Sequence, residues 1–195
     1  MPFTDTTKNA MLDGNEPSHM SLHSAFPGGT GANEIAGGSY ARQAIAWGAA
    51  AAGVKSASNQ PAATVPAAAT VAWIGYFSAL SAGNFLGYAP AGGSPFKYRV
   101  DTIGNAIDAP GHGLADDEQV VFYGGTPPAP LVEGAAYFVV GSAADTFQVA
   151  ATQGGAVIDL TSGGDAKMRC SKIVPETFGA EGTFTATSLT LDLNE

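Results

Sequence analysis

Apolar and polar positions alternate with a period of two along most of this chain, the spacing of half-buried strands. Only the start repeats like a helix. Thr4–Asp13 predicts one short helix: Thr4 or Asp5 caps it, an early Asp suits the helix dipole, Ala10 and Met11 form a small apolar face, and Gly14 ends it. Ala49–Ala52 has helical propensity, but Gly48 and Gly53 bracket it, and Pro61 and Pro66 break the next stretch. Met20 and Leu22 alternate with His19, Ser21 and His23, and Tyr40–Trp47 alternates weakly with Ile45 and Trp47 on one face. The strongest strand pattern is Thr70–Ser78, with Val71, Trp73 and Phe77 on one face and Ile74 and Tyr76 on the other. Two apolar faces predict a central strand buried on both sides. Asn84–Tyr88 follows as a short strand after Ser81-Ala82-Gly83.

From Phe96 to Ile173 the texture changes. Short strands are expected at Lys97–Thr102, Glu118–Tyr123, Ala136–Val140, Thr146–Ala150, Ala156–Leu160 and Lys167–Val174. Gly- and Pro-rich turns separate them, a spacing that suggests a small β-barrel or β-roll. Thr183–Leu193 is again strand-like, but its apolar residues switch from even (Phe184, Ala186) to odd numbers (Leu189, Leu191, Leu193), which predicts a bulge or bend near Thr187–Ser188. Joints rich in Pro, Gly and Ser lie at Ala89–Pro95 and around Pro175–Gly182. The expected fold is therefore mainly β. A β-sandwich-like outer domain with one N-terminal helix uses residues 1–95 plus 174–195, and residues 96–173 form an inserted β module. Two consecutive domains split near Pro95 are the alternative.

Composition sharpens this picture. The chain has 195 residues, of which 45% are hydrophobic and 13% charged, with 26 Gly and 12 Pro. A typical soluble domain carries about 25% charge. The formal net charge is -9, from 17 acidic and 8 basic residues, and no basic run occurs; Lys167, Arg169 and Lys172 come closest, alternating with other residues like one face of a strand. Nucleic acid is therefore not an expected partner. No apolar run approaches the roughly 20 residues needed to span a membrane. The polar start, Met-Pro-Phe-Thr-Asp, lacks a secretory signal pattern, so synthesis in the cytoplasm is expected.

Candidate chemistry is sparse. His19 and His23 lie four residues apart; on a strand that separates them by about 13 Å at ~3.3 Å per residue, too far for one metal ion within a chain. His112 sits in the turn Pro-Gly-His-Gly-Leu, beside Asp116-Asp117-Glu118, which lacks the spacing of a calcium loop. Gly28-Gly29-Thr30-Gly31 and Gly37-Gly38-Ser39 read as turns, because a phosphate loop needs a preceding strand, a following helix and usually a Lys. Cys170 is the single cysteine, in a strand-like run without a neighbouring base. Trp47 and Trp73 are placed in the core. No catalytic, cofactor-binding or metal-binding set is expected, and neither is an enzyme.

An ordered series of motifs does resemble a known family. It comprises Phe3-Thr-Asp-Thr-Thr-Lys-Asn-Ala-Met-Leu-Asp13, Met20–Ser24, Pro27–Glu34, Gly37–Arg42, Ala46-Trp-Gly48, Ile74–Ser78, Phe85–Gly87, Glu176–Ala180 and Leu189–Leu193. Together these resemble the small virion proteins of tailed bacteriophages, often labelled tail fibre or minor tail proteins. In shorter relatives the equivalent of Gly87 runs almost directly into the equivalent of Glu176, which implies an insertion here. The insert, with Gly111–Leu114, Pro127–Pro130, Tyr137–Val140 and Asp145–Val149, resembles a β module of phage structural proteins. The resemblance implies a non-enzymatic virion component, self-associating as a surface trimer and contacting other virion proteins. Capsid decoration is the alternative role, and a module binding host-surface glycan is a further one.

Overall fold

The computed structural model describes residues 3–194 and is mainly β, with one helix among those residues. The chain divides into two compact units, Met1–Ala89 with Glu176–Glu195, and Pro90–Pro175. The first holds α1 (Asp5–Gly14), β1 (His19–His23), β2 (Gln43–Ala44), β3 (Val54–Ser56), β4 (Ala62–Val65), β5 (Thr70–Val71), β6 (Trp73–Phe77) and β7 (Phe85–Pro90). The second holds β8 (Arg99–Asp101), β9 (Ala106–Asp108), β10 (Gln119–Tyr123), β11 (Ala136–Val140), β12 (Thr146–Ala150) and β13 (Arg169–Lys172). The chain then returns to the first unit as β14 (Glu176–Thr177), β15 (Gly182–Thr185) and β16 (Thr190–Asp192).

In the first unit, four strands form one sheet in the order β2-β1-β6-β7. β6 is central and buried along its whole length, as its two apolar faces predict. Its faces serve different layers. Ile74 and Tyr76, paired across the ladder with Leu22 and Met20, point into the main core. That core is closed by Ala63 and Val65 of β4 and by Ala186 and Leu189. The returning segment runs antiparallel to the earlier one as three short ladders, β14 on β5, β15 on β4 and β16 on β3. The anticipated break falls between β15 and β16, where Ala186 and Leu189 both reach the core despite their opposite parity.

Three expectations need correction here. Thr70–Ser78 is two strands rather than one. Ala72 bulges out, its N–H donating to the His23 carbonyl at 3.0 Å while Trp73 pairs with the same residue. One extra residue reverses parity, so Val71 joins Ile74 and Tyr76 in the core rather than Trp73 and Phe77. Tyr40–Trp47 contributes only Gln43–Ala44 as strand, although Ile45 and Trp47 do face the core together. The helix buries Leu12, while Ala10 and Met11 are exposed. Thr4 caps it as expected, its hydroxyl accepting the Thr7 N–H.

What seats the helix is mainly polar. Asn9 accepts the Gly53 N–H at 2.9 Å, and Lys8 donates to Asn194 at 2.5 Å. The Lys55 ammonium, on a side chain only 5% exposed, lies 2.5 Å from Asp13 and 2.7 Å from Glu16. Its two carboxylate partners hold the Lys55 pKa above the ordinary lysine value.

The second unit is one antiparallel sheet in the order β13-β10-β11-β12-β9-β8. Val120, Phe122, Tyr137, Val139, Phe147, Val149, Ile107 and Cys170 share its core face, following the period of two. A closed barrel does not form among the described residues. Its two sides are linked where Phe96, upstream of β8, exchanges backbone bonds of 2.8 and 3.0 Å with Cys170 of β13, and again where the Val174 N–H donates to the Ala91 carbonyl. Ala156–Leu160 is not a strand. β12 already pairs with β11 and β9, so only its far end is left for Ile158, whose N–H donates to Val149. Leu160 is still buried, its N–H held by Asn105 at 2.8 Å.

Gly75 explains how the second face of β6 is filled. A Cβ there would lie 2.3 Å from His23 Nε2 and 2.4 Å from Ser21 Oγ, with no room to move. Overpacking of a close-packed interior costs about 1–3 kcal/mol. Gly75→Ala is expected to lose at least that much stability in urea unfolding. Gly87→Ala, whose new methyl would meet only Tyr76 at 3.9 Å, is expected to unfold within about 0.5 kcal/mol of the parent. Lys55→Met leaves Asp13 and Glu16 without their shared cation. Hydrogen exchange should quicken across Asp5–Gly14 while β1 and β6 keep their protection.

Candidate functional site

The two histidines of β1 have separate fates. His19 is partly exposed, with Nδ1 2.8 Å from the Ser18 hydroxyl. His23 is fully buried. Its Nδ1 lies 2.7 Å from the Ala32 carbonyl, which can only accept, so Nδ1 carries the proton. Nε2 then accepts from the Ser21 hydroxyl at 2.8 Å. Burial, the largest influence, pulls the His23 pKa below its ordinary value of 6.5, partly opposed by the bond to Ala32 and by Glu34. A serine, a histidine and a group orienting the histidine form the outline of a nucleophilic dyad. Ser21 and His23 are both 0% exposed, however, so no substrate reaches them. The pair is a buried strut. No cluster of three metal-ligating side chains occurs among the described residues.

A shell of aromatic rings surrounds the strut. Phe85 meets His23 edge-on at 5.9 Å and Phe77 at 5.1 Å, while Phe26 packs against Trp73 and Tyr88 at 5.1 Å each. The segment 24–34 folds over this shell. Gly31, at φ 73°, passes so close that a Cβ would lie 2.8 Å from Phe85 and 2.9 Å from Phe77. Arg42 locks the assembly from the side. Its guanidinium lies 3.3 Å from the centre of the Phe77 ring and grips Glu34 through two bonds of 2.7 and 2.8 Å. It also donates to the carbonyls of Ala79 and Ala82, fixing the β6–β7 turn. Burial works to raise the Glu34 pKa, but Arg42 and the Tyr40 hydroxyl outweigh it and hold the carboxyl below its usual value.

The remaining candidates are mostly scaffolding. Asp116 accepts the Ser142 N–H, and Glu118 accepts the Ala115 N–H and pairs with Lys172, so this acidic run builds a turn. Both glycine clusters are turns. Cys170 is fully buried, which pushes its thiol pKa well up and keeps it protonated. Trp73 is in the core, while Trp47 is half-buried and donates its indole N–H to the Pro17 carbonyl at 2.6 Å.

His112 is the exception. Together with Ser94, Pro95, Phe96, Pro110 and Lys172 it lines an open groove of about 340 Å³ in the second unit. Its ring rests on Phe147, 5.0 Å between centres, and Nδ1 accepts the Leu114 N–H at 3.0 Å. In the neutral ring the proton is then on Nε2, a buried donor with no acceptor. The turn around His112 is visible in the sequence, but the groove it lines also takes in Ser94 and Lys172, 78 positions apart, which leaves no local signal. The Arg42–Glu34 clamp did leave one: these are the only Asp, Glu, Lys or Arg residues between Glu16 and Lys55.

The described residues form a mainly β fold in which the Ser21–His23 pair and the Arg42–Glu34 clamp brace the first unit. Comparison with known families gives a name to the class: the model for the podophage GP4 fiber I protein gp80 matches residues 3–101. The match spans half of the chain, which belongs to this phage fibre family, a class of virion structural proteins. No curated protein and no solved structure gives a significant match. Among the described residues no helix is long and apolar enough to cross a membrane.

His23 sets an expected pH dependence. A base whose folded pKa lies below its unfolded value binds fewer protons when folded, so its contribution is complete above pH 6.5 and fades as pH falls below it. Urea unfolding between pH 7 and 5 should show stability falling with acid. The His23 resonance should titrate below that of the unfolded chain, and His23→Gln should flatten the slope.

Proposed function

We propose that this protein is a non-enzymatic structural part of a phage tail-fibre apparatus, in which residues 1–95 and 174–195 make the assembly contacts and self-associate as a trimer. The inserted module, residues 96–173, projects from that base towards the host surface. Membership of the fibre family carries this reading, since the matched stretch takes in the helix, the strut and the Arg42 clamp. The insertion is supported by chain geometry. The Val174 N–H donates to the Ala91 carbonyl at 2.7 Å, so the two ends of the second unit lie side by side. A unit whose ends meet can be gained or lost at a host loop with little strain. Charge is also uneven: the module holds five of the eight basic and nine of the seventeen acidic residues. That distribution suits a solvated module on a base that is largely covered by neighbours.

Particles carrying a variant with residues 90–175 replaced by a short Gly-Ser linker should still incorporate the protein, as judged by immunoblot of purified virions. A cryo-EM map of intact particles should place it on the tail with threefold symmetry. Density on the capsid shell would instead support a decoration role, and loss of the shortened protein from particles would sink the division of labour.

A further inference from the structure

We propose that the β6–β7 hairpin is the surface on which copies of this chain meet, with Leu80 of its turn and Leu86 of β7 packed against the equivalent hairpins of neighbouring copies around a threefold axis. This rests on the trimer proposed above and names where its subunits touch. Leu80 is 56% exposed and Leu86 50%, and one hairpin carries both. β7 is an edge strand of its sheet, with β6 as its only neighbour there. Sheet edges that stay single are commonly guarded by charged side chains, Lys above all. This edge has no such guard. Residues 56–96 contain no Asp, Glu, Lys, Arg or His, in a chain that is 13% charged overall.

The turn is held rigid although its tip meets solvent. Arg42 donates to the carbonyls of Ala79 and Ala82, one before Leu80 and one after it. The Ser78 N–H donates to the Asn84 carbonyl at 3.0 Å, and the Ser78 hydroxyl accepts the Asn84 N–H at 2.8 Å. Ala82 sits at φ 52°, a left-handed conformation uncommon for alanine. Gly83, at φ 73°, packs so tightly that a Cβ would lie 2.9 Å from Ala79. Strain of this kind is kept where a function needs the geometry, and a side chain fixed beforehand loses little freedom on docking. Charge then selects the occupant. Each copy carries a net charge of -9, so copies repel wherever acidic faces approach. Contact is least opposed across a surface without charges, and the centres of interfaces are depleted in them. A basic partner would be drawn to the acidic faces instead. At a rotation axis each residue meets its own copies, so a projecting leucine needs no socket.

Sedimentation velocity of the full-length protein at micromolar concentration should give the mass of three chains of 19.6 kDa. Leu80→Lys and Leu86→Lys should each raise the concentration at which the trimer dissociates by at least about tenfold, since burying a leucine side chain is worth more than that factor. Near-UV circular dichroism should be unchanged, because both positions are at least half exposed. Leu80→Ser adds no charge and should weaken the trimer too, which covers a lysine variant that fails to fold. Ile103→Lys, at a position 96% exposed in the second unit, should leave the mass unaltered. Mixing Leu80→Lys with Leu80→Glu should restore trimers that neither variant forms alone, a recovery that mere loss of stability would not allow. A parent that sediments as a single chain would overturn the proposal. So would lysine variants that stay trimeric, or a mixture that fails to reassemble. A cryo-EM map showing the protein on the tail with its three hairpins apart would remove this contact and leave the fibre role standing. Trimers built on these leucines in solution, with no copy on the tail, would do the reverse.

Discussion

The first unit is organised around the hydrogen-bonded histidine beneath β6. A fully buried imidazole is tolerated only if both nitrogens find partners, because an unpaired buried polar group costs about 1–3 kcal/mol. Here the Ala32 carbonyl and the Ser21 hydroxyl supply them. That requirement fixes three other things. The segment after β1 must fold back so that Ala32 reaches Nδ1. The facing residue of β6 must be glycine, since the imidazole occupies the place of its side chain. The surrounding positions must be rings, and Trp73, Phe77, Phe85 and Phe26 close around the pair. Arg42 then completes the layer, exchanging a solvated position for Glu34, an aromatic face and two carbonyls.

Much of the fold was legible in the pattern of residues, and the failures have physical causes. The Thr4 cap, β1, the central burial of β6, and the bounds of β11 and β12 follow from capping chemistry and a period of two. β4 was hidden because Pro61 and Pro66 flank it, yet the ladder needs donors only from the residues between them. β9 spans three residues after the Gly104-Asn105 turn, too few to show alternation. The bulge at Ala72 has no composition of its own; it falls where the chain passes from pairing with β14 to pairing with β1.

The site was less legible than the fold. His19, Ser21 and His23 read as the polar side of a half-exposed strand, and an alternating pattern does not show that a later loop will cover that side. The glycines of 28–31 looked like an ordinary turn, whereas one of them permits the loop to close on two aromatic rings. His112 was readable as a turn residue, and it is one. Its place in a groove depends on Phe96 meeting Cys170 across the second unit, a contact between residues 74 positions apart. Distances of that kind are set by topology and leave no mark on the local sequence.

The three ladders that bind residues 176–192 to residues 54–71 also impose an order of events. Glu176 pairs with Val71 and Thr190 with Ser56, so every one of these contacts spans more than a hundred residues. On the ribosome β3, β4 and β5 emerge long before their partners and wait with open edges. The second unit pairs its strands within residues 90–175, so its sheet needs nothing from the segment that follows it. Loop closure over such a separation is slow for a flexible chain. A unit already folded between the two halves replaces that floppy span by a compact body whose ends, at Ala91 and Val174, lie hydrogen-bonded together. Once folded, the second unit therefore shortens the loop that these ladders must close from more than eighty residues to the width of one hydrogen-bonded pair.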